Sequence, residues 1–119
     1  MTGRKTRFMV AVVLASTLLL TTAGFAQAST VIKATSTRQW SPAKTSVVKG
    51  TKVVWKNPTT ATHTVTAYKG SWSKNVTLIP GATTSFLFKN TGTFKFRCTI
   101  HSTLLNGVCS GMCGVVKVT

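Results

Sequence analysis

From residue 29 onward, apolar and polar positions alternate with a period of two. Val53 and Trp55 are set against Lys52 and Lys56, Phe86 and Phe88 against Ser85 and Lys89, and Phe94, Phe96 and Cys98 against Lys95 and Arg97. Neighbouring side chains of a strand point to opposite faces, so this pattern predicts strands with one face in a core and one in water. Turn-forming residues interrupt the runs at short intervals, at Lys49-Gly50, Asn57-Pro58, Lys69-Gly70, Pro80-Gly81 and Asn90-Thr91-Gly92. No segment in this region has a helical period, and Gly114 to Val118 reads as the last strand. The pattern predicts an all-β domain, an antiparallel Greek-key β-sandwich of about seven to eight strands, with no internal repeat and no linker.

Residues 1–28 have a different character. Arg4, Lys5 and Arg7 precede an apolar run from Phe8 to Leu20, and Ala26-Gln27-Ala28 ends the segment with small residues flanking one larger one. That order predicts a secretory signal peptide over 1–28 and a mature domain over 29–119. No cysteine lies near the cut to carry a lipid, and Arg4-Lys5 is not a twin-arginine pair. The expected location is the periplasm or the cell exterior, an uncleaved N-terminal anchor being the lesser alternative.

Charge narrows the chemistry. Of 119 residues none is Asp or Glu and 15 are Lys or Arg. Such a surface suits acidic proteins or anionic lipid headgroups. Nucleic acid is not expected as a partner, because the basic residues are spread singly without a basic run or recognition helix. Without carboxylates the chain cannot build the paired acids of glycosidases, a Ser-His-Asp triad or an ordinary calcium or magnesium site.

The remaining chemistry lies in few residues. The chain has two histidines, His63 and His101, and three cysteines, all within CTIHSTLLNGVCSGMC from Cys98 to Cys113. His63 begins a strand with Val65 and Ala67 on its face, and Cys98 ends one with Phe94 and Phe96, so a sandwich can bring both to one pole. His101 and Met112 are then expected in the loop leaving that pole. Two imidazoles, a thiolate and a weak thioether are the donor set of a copper ion that transfers electrons. The plain alternative is a disulfide-stapled surface loop. An odd cysteine count leaves one thiol over, and Cys98 could itself pair with Cys109 or Cys113.

Three stretches together carry a resemblance. KGTKVVWKNPTTATHTV, PGATTSFLFKNTGTFKFRCTIH and GMCGVVKV resemble the segments around the metal ligands of the cupredoxins, the small blue copper proteins of the plastocyanin and amicyanin kind, and cover nearly all of 29–119. The resemblance implies one type 1 copper ion, with His63, Cys98 and His101 as equatorial ligands and Met112 as axial ligand. It also implies that Asn57 ties the ligand loops together and bonds near the cysteine sulfur. The chain departs from the family between His101 and Met112, where Ser102 to Gly111 form an insertion that brings in Cys109. A Cys109 to Cys113 disulfide would then hold Met112 toward the metal and leave Cys98 free. Cys109-Ser-Gly-Met-Cys113 also resembles the two-cysteine segment of a dinuclear copper centre, but the histidine that should follow is absent.

The implied function is a monomeric, exported carrier of single electrons that is not an enzyme, since two histidines cannot also form a catalytic copper site. Its expected partners are redox proteins with an acidic docking face, with peripheral contact to an anionic membrane surface as a further possibility. Copper storage or delivery, and a purely structural domain, are the alternatives.

Overall fold

The computed structural model describes residues 3, 11–19 and 28–119. Residues 11–19 form neither helix nor strand, and the rest of the expected signal segment, save Gly3 and Ala28, lies outside the described residues. No helix among the described residues is long and apolar enough to cross a membrane.

The described residues form nine strands: β1 Ser29–Ala34, β2 Trp40–Ser41, β3 Lys44–Val47, β4 Thr51–Lys56, β5 His63–Lys69, β6 Asn75–Leu78, β7 Thr83–Phe88, β8 Gly92–Leu105 and β9 Val108–Val118. They form two sheets, ordered β2-β1-β4-β7 and β3-β9-β8-β5-β6. The chain is thus the expected β-sandwich, with two differences. The count exceeds seven to eight because β2 is only two residues long, too short to register as a period. The sheets are also mixed, since β1 pairs with β4 and β3 with β9 in parallel. Those pairings join strands distant in sequence, which local alternation cannot reveal.

The alternating residues meet between the sheets. Trp55 is fully buried, with Phe96 edge-on to it at 5.3 Å between ring centres. Phe96 is in turn edge-on to Trp40 at 5.7 Å, and the ring of Trp40 lies 6.2 Å from that of His63. On the other side Trp72 stacks on Trp55 and reaches Phe86, Phe88 and Phe94. Each such pair adds roughly 0.5–1.5 kcal/mol beyond its area burial. The three tryptophans are therefore packing residues, and the aromatic core runs unbroken to the pole that holds His63.

Without carboxylates, Lys74 meets its needs otherwise. Its ammonium donates to Thr84 Oγ1 at 2.8 Å and Ser85 O at 3.0 Å and lies 5.7 Å from the centre of the Trp55 ring. This strut ties the β5–β6 connection to β7 in the opposite sheet, and burial lowers the pKa of the amine.

Two glycines separate packing from backbone demands. A Cβ on Gly114 would run into the buried ring of Phe96, whereas Gly107 has φ +75 and open space around it. Gly114→Ala is expected to cost about 1–3 kcal/mol through overpacking, and Gly107→Ala about 1–2 kcal/mol through left-handed strain alone. Chemical denaturation would measure both, and only Gly114→Ala should also alter the near-ultraviolet signal of the aromatic core.

Candidate metal centre

The site is made by an interruption in the pairing of β8 with β9. Arg97 faces Cys113 and Ser102 faces Gly111, so four residues, Cys98 to His101, stand opposite the single residue Met112. The surplus residues bulge toward β5, where His63 is the first residue of its strand. Side-chain bonds fix the bulge at both ends. Arg97 donates from its guanidinium to Ser102 Oγ at 3.1 Å, and Ser102 Oγ donates to Cys98 O. Thr99 N donates to Thr64 Oγ1 at 2.9 Å, which ties the bulge to β5.

The insertion beyond it is not a loop. Ser102 pairs with Gly111, Thr103 with Ser110, Leu104 with Cys109 and Leu105 with Val108. Asn106 and Gly107 form the turn at φ 51 and 75, the left-handed pair required by a two-residue type I′ hairpin. His101 and Met112 therefore lie on paired strands, and β9 begins at Val108 rather than at Gly114. Asn106-Gly107 between apolar runs was the available signal for this ribbon.

The disulfide joins Cys109 to Cys113, and Cys98 is the free cysteine. Four residues of straight strand span about 13 Å at about 3.3 Å each, yet these Cα atoms are 6.1 Å apart. The chain therefore bends sharply between them, where Gly111 has φ +101 and packs so closely that a Cβ there would strike the His101 carbonyl. Met112 stands inside this bend, fully buried.

His63, Cys98 and His101 come together, their ligand atoms all within 4.8 Å of one another. His63 Nδ1 lies 3.1 Å from His101 Nδ1, and Cys98 Sγ lies 3.9 Å and 3.4 Å from the two nitrogens. A point in their plane equidistant from the three atoms is about 2.0 Å from each. Metal bonds to imidazole and thiolate are about 2.0–2.3 Å long, so the triangle fits a metal ion without rearrangement.

Neighbouring groups orient these donors. Thr59 Oγ1 is 2.9 Å from His63 Nε2 and 2.6 Å from Asn57 Oδ1. The hydroxyl donates to Asn57 and accepts from Nε2–H, which leaves Nδ1 with a free lone pair facing the triangle. Asn57 Nδ2 donates to Ala61 O at 2.7 Å and Leu78 O at 2.9 Å, clamping the 57–61 loop to β6. The expected tie between loops is there, but the bond to sulfur comes from elsewhere: Thr64 N donates to Cys98 Sγ at 3.3 Å. Thr59 and Thr64, on either side of His63, thus orient two of the three donors.

A mixed-sheet β-sandwich thus carries at its pole a cluster of buried His63 and Cys98 with half-buried His101 that could hold a metal ion. Residues 9–109 match the family of cupredoxin-like domains, and the chain belongs to that family. None of the curated protein sequences matches it. Among solved structures it is similar to a purple cupredoxin from Nitrosopumilus maritimus, at 20% identity and a TM-score of 0.60 over 75% of this chain and 98% of the other. It is also similar to a reduced mutant form of amicyanin, at 22% identity and a TM-score of 0.64 over 82% and 88% of the two chains. A third likeness is to a copper-containing nitrite reductase from Thermus scotoductus, at 17% identity and a TM-score of 0.62 over 75% of this chain but 22% of the other.

Burial, the adjacent His101 and the Arg38 guanidinium all disfavour a charged His63 and lower its pKa from the ordinary 6.5. The unfolded chain then takes up this proton at higher pH than the folded one. Stability from this group is full above 6.5 and is lost as pH falls from there through the lower folded value. The metal-free protein is expected to show a falling denaturation midpoint below pH 6.5, a fall that His63→Gln should reduce.

Proposed function

We propose that this protein is an exported carrier of single electrons with one type 1 copper ion, which His63 Nδ1, Cys98 Sγ and His101 Nδ1 would hold with Met112 as a further, weaker donor. The observation that carries this reading is the triangle of donors, already spaced for a metal ion, with His63 held by Thr59 and Cys98 by the Thr64 amide. Copper bound there would supply a Cu(II)/Cu(I) couple.

The chain's own part is to hold that donor set still. His63, Cys98 and Met112 are fully buried and so exclude water from three sides. The Thr64 amide hydrogen bond to Cys98 Sγ draws negative charge off the sulfur. His101 is half-buried and offers the route by which an electron leaves.

The surface around that route supports docking. From Cys98 to Val116 the chain carries no Lys or Arg, and Ile100, Leu104, Leu105 and Val108 are exposed there. The twelve basic residues of 29–119 lie outside this stretch. An apolar contact next to His101, approached under the pull of a basic body on an acidic partner, suits brief and rapid encounters. Residues 1–28 and the Cys109–Cys113 disulfide both support export to an oxidising compartment. Both histidines are taken up by the one site, which argues against a catalytic copper.

Titration with Cu(II) is expected to give an intense thiolate-to-copper band saturating at one copper per chain, lost in Cys98→Ser. Met112→Leu should keep the band and raise the reduction potential, because removing a donor disfavours the higher charge. Rapid, reversible reduction without loss of copper separates a carrier from a storage protein. The rate of association with an acidic redox partner should fall as salt rises, since screening shortens the reach of surface charge.

A further inference from the structure

A cleft of about 390 Å³ opens on the outer side of His63, away from the donor triangle. One wall is the turn from Thr35 to Arg38, and the other is the loop from Pro58 to Ala61. The turn is held by Arg38 N donating to Thr35 O at 3.0 Å and by Thr35 N donating to Gln39 O at 2.9 Å. Arg38 takes a left-handed backbone conformation, φ 56, as the turn closes.

The polar groups in the cleft divide into two sets. Thr35 Oγ1 is engaged with Gln39 and Thr37, and Thr59 Oγ1 with Asn57 and His63. The Arg38 guanidinium and the hydroxyls of Ser36 and Thr60 have no hydrogen-bond partner among the described residues. With no Asp or Glu in the chain, no side-chain carboxylate can neutralise Arg38 from within. A guanidinium presents a planar fork of donors that matches a carboxylate, phosphate or sulfate, and hydroxyls rotate to add donors.

We propose that this cleft is a binding site for a small oxyanion, held by Arg38 with Ser36 and Thr60, on the face of His63 opposite its metal-facing nitrogen. Its volume lies within the range of small-molecule pockets and leaves space beyond a single phosphate, so an organic di- or tricarboxylate fits the same chemistry. The site has a consequence that rests on the copper reading. Thr59 links the cleft to His63 Nε2. Negative charge placed there favours the more positive oxidation state of the centre. By linkage, an anion that binds the oxidised form ten times more tightly lowers the reduction potential by about 59 mV.

The test uses the metal-free protein first, so that it does not depend on copper. Inorganic phosphate, sulfate and citrate are titrated separately, followed by calorimetry and amide chemical shifts. Saturable 1:1 binding with shifts at residues 35–38 and 59–61 is expected. Arg38→Gln should weaken it at least tenfold, whereas Lys33→Gln, which removes equal charge from the exposed side of β1, should leave it within about twofold. Tighter binding of citrate than of phosphate would identify the ligand as an organic acid, and the reverse an inorganic one. Non-saturable binding, or equal losses in the two variants, would overturn the site by reducing it to general attraction to a basic surface. The copper-loaded protein is then measured by voltammetry. A potential that falls with anion in the parent but not in Arg38→Gln supports the coupling, and an unmoved potential overturns the coupling while the site stands.

Discussion

The structure depends on one break in a ladder. β8 and β9 pair on both sides of the pole, and between Arg97–Cys113 and Ser102–Gly111 four residues answer to one. A bulge of that size leaves backbone groups that must find other partners. Thr64 and Ser102 supply them, and in doing so set where Cys98 and His101 point. The candidate metal site is therefore a product of sheet register: what brings the donors together is the count of residues across two strands, and the threonine-rich start of β5 receives the surplus.

Much of this was legible in the residues. Alternation over Val53–Trp55 and Phe94–Cys98 identified strands whose inner faces now form the aromatic core, and it put His63 and Cys98 at strand ends on those faces. The resemblance brought His63, Cys98, His101 and Met112 together as candidates, and the fold places the first three in one cluster with Met112 opposite the bulge. The parallel pairing of β1 with β4 and of β3 with β9 was not legible, because it depends on contacts between segments that share no turn. Asn106-Gly107 was legible in principle, since both residues tolerate the left-handed conformation the hairpin needs. Its signal was hidden by reading 102–111 as a gap to be crossed instead of a strand pair. The roles of Thr59 and Thr64 depended on which atoms they face, and alternation says nothing of that.

A chain without carboxylates must also solve its electrostatics differently. Lys74, partly buried, is met by a carbonyl, a hydroxyl and a tryptophan face. Arg97 spends its guanidinium on the bulge. Neutral acceptors thus replace ion pairs, and such contacts are screened less by salt than exposed charge pairs would be. The stretch from Cys98 to Val116 carries no Lys or Arg and so adds nothing to the self-repulsion of the basic body.

The ribbon from Ser102 to Gly111 shows how a long insertion can be neutral to the site it interrupts. A hairpin returns the chain to its point of departure, so His101 and Met112 are tied to the ribbon through the Ser102–Gly111 pair and the Cys109–Cys113 bridge. Residues can be added beyond Leu105–Val108 in cross-strand pairs with the register at the base unchanged, and an odd one is absorbed in the turn or as a bulge. The ribbon is in that sense an arm whose tip, beyond the Leu104–Cys109 pair, can change in length while its anchored base stays as it is.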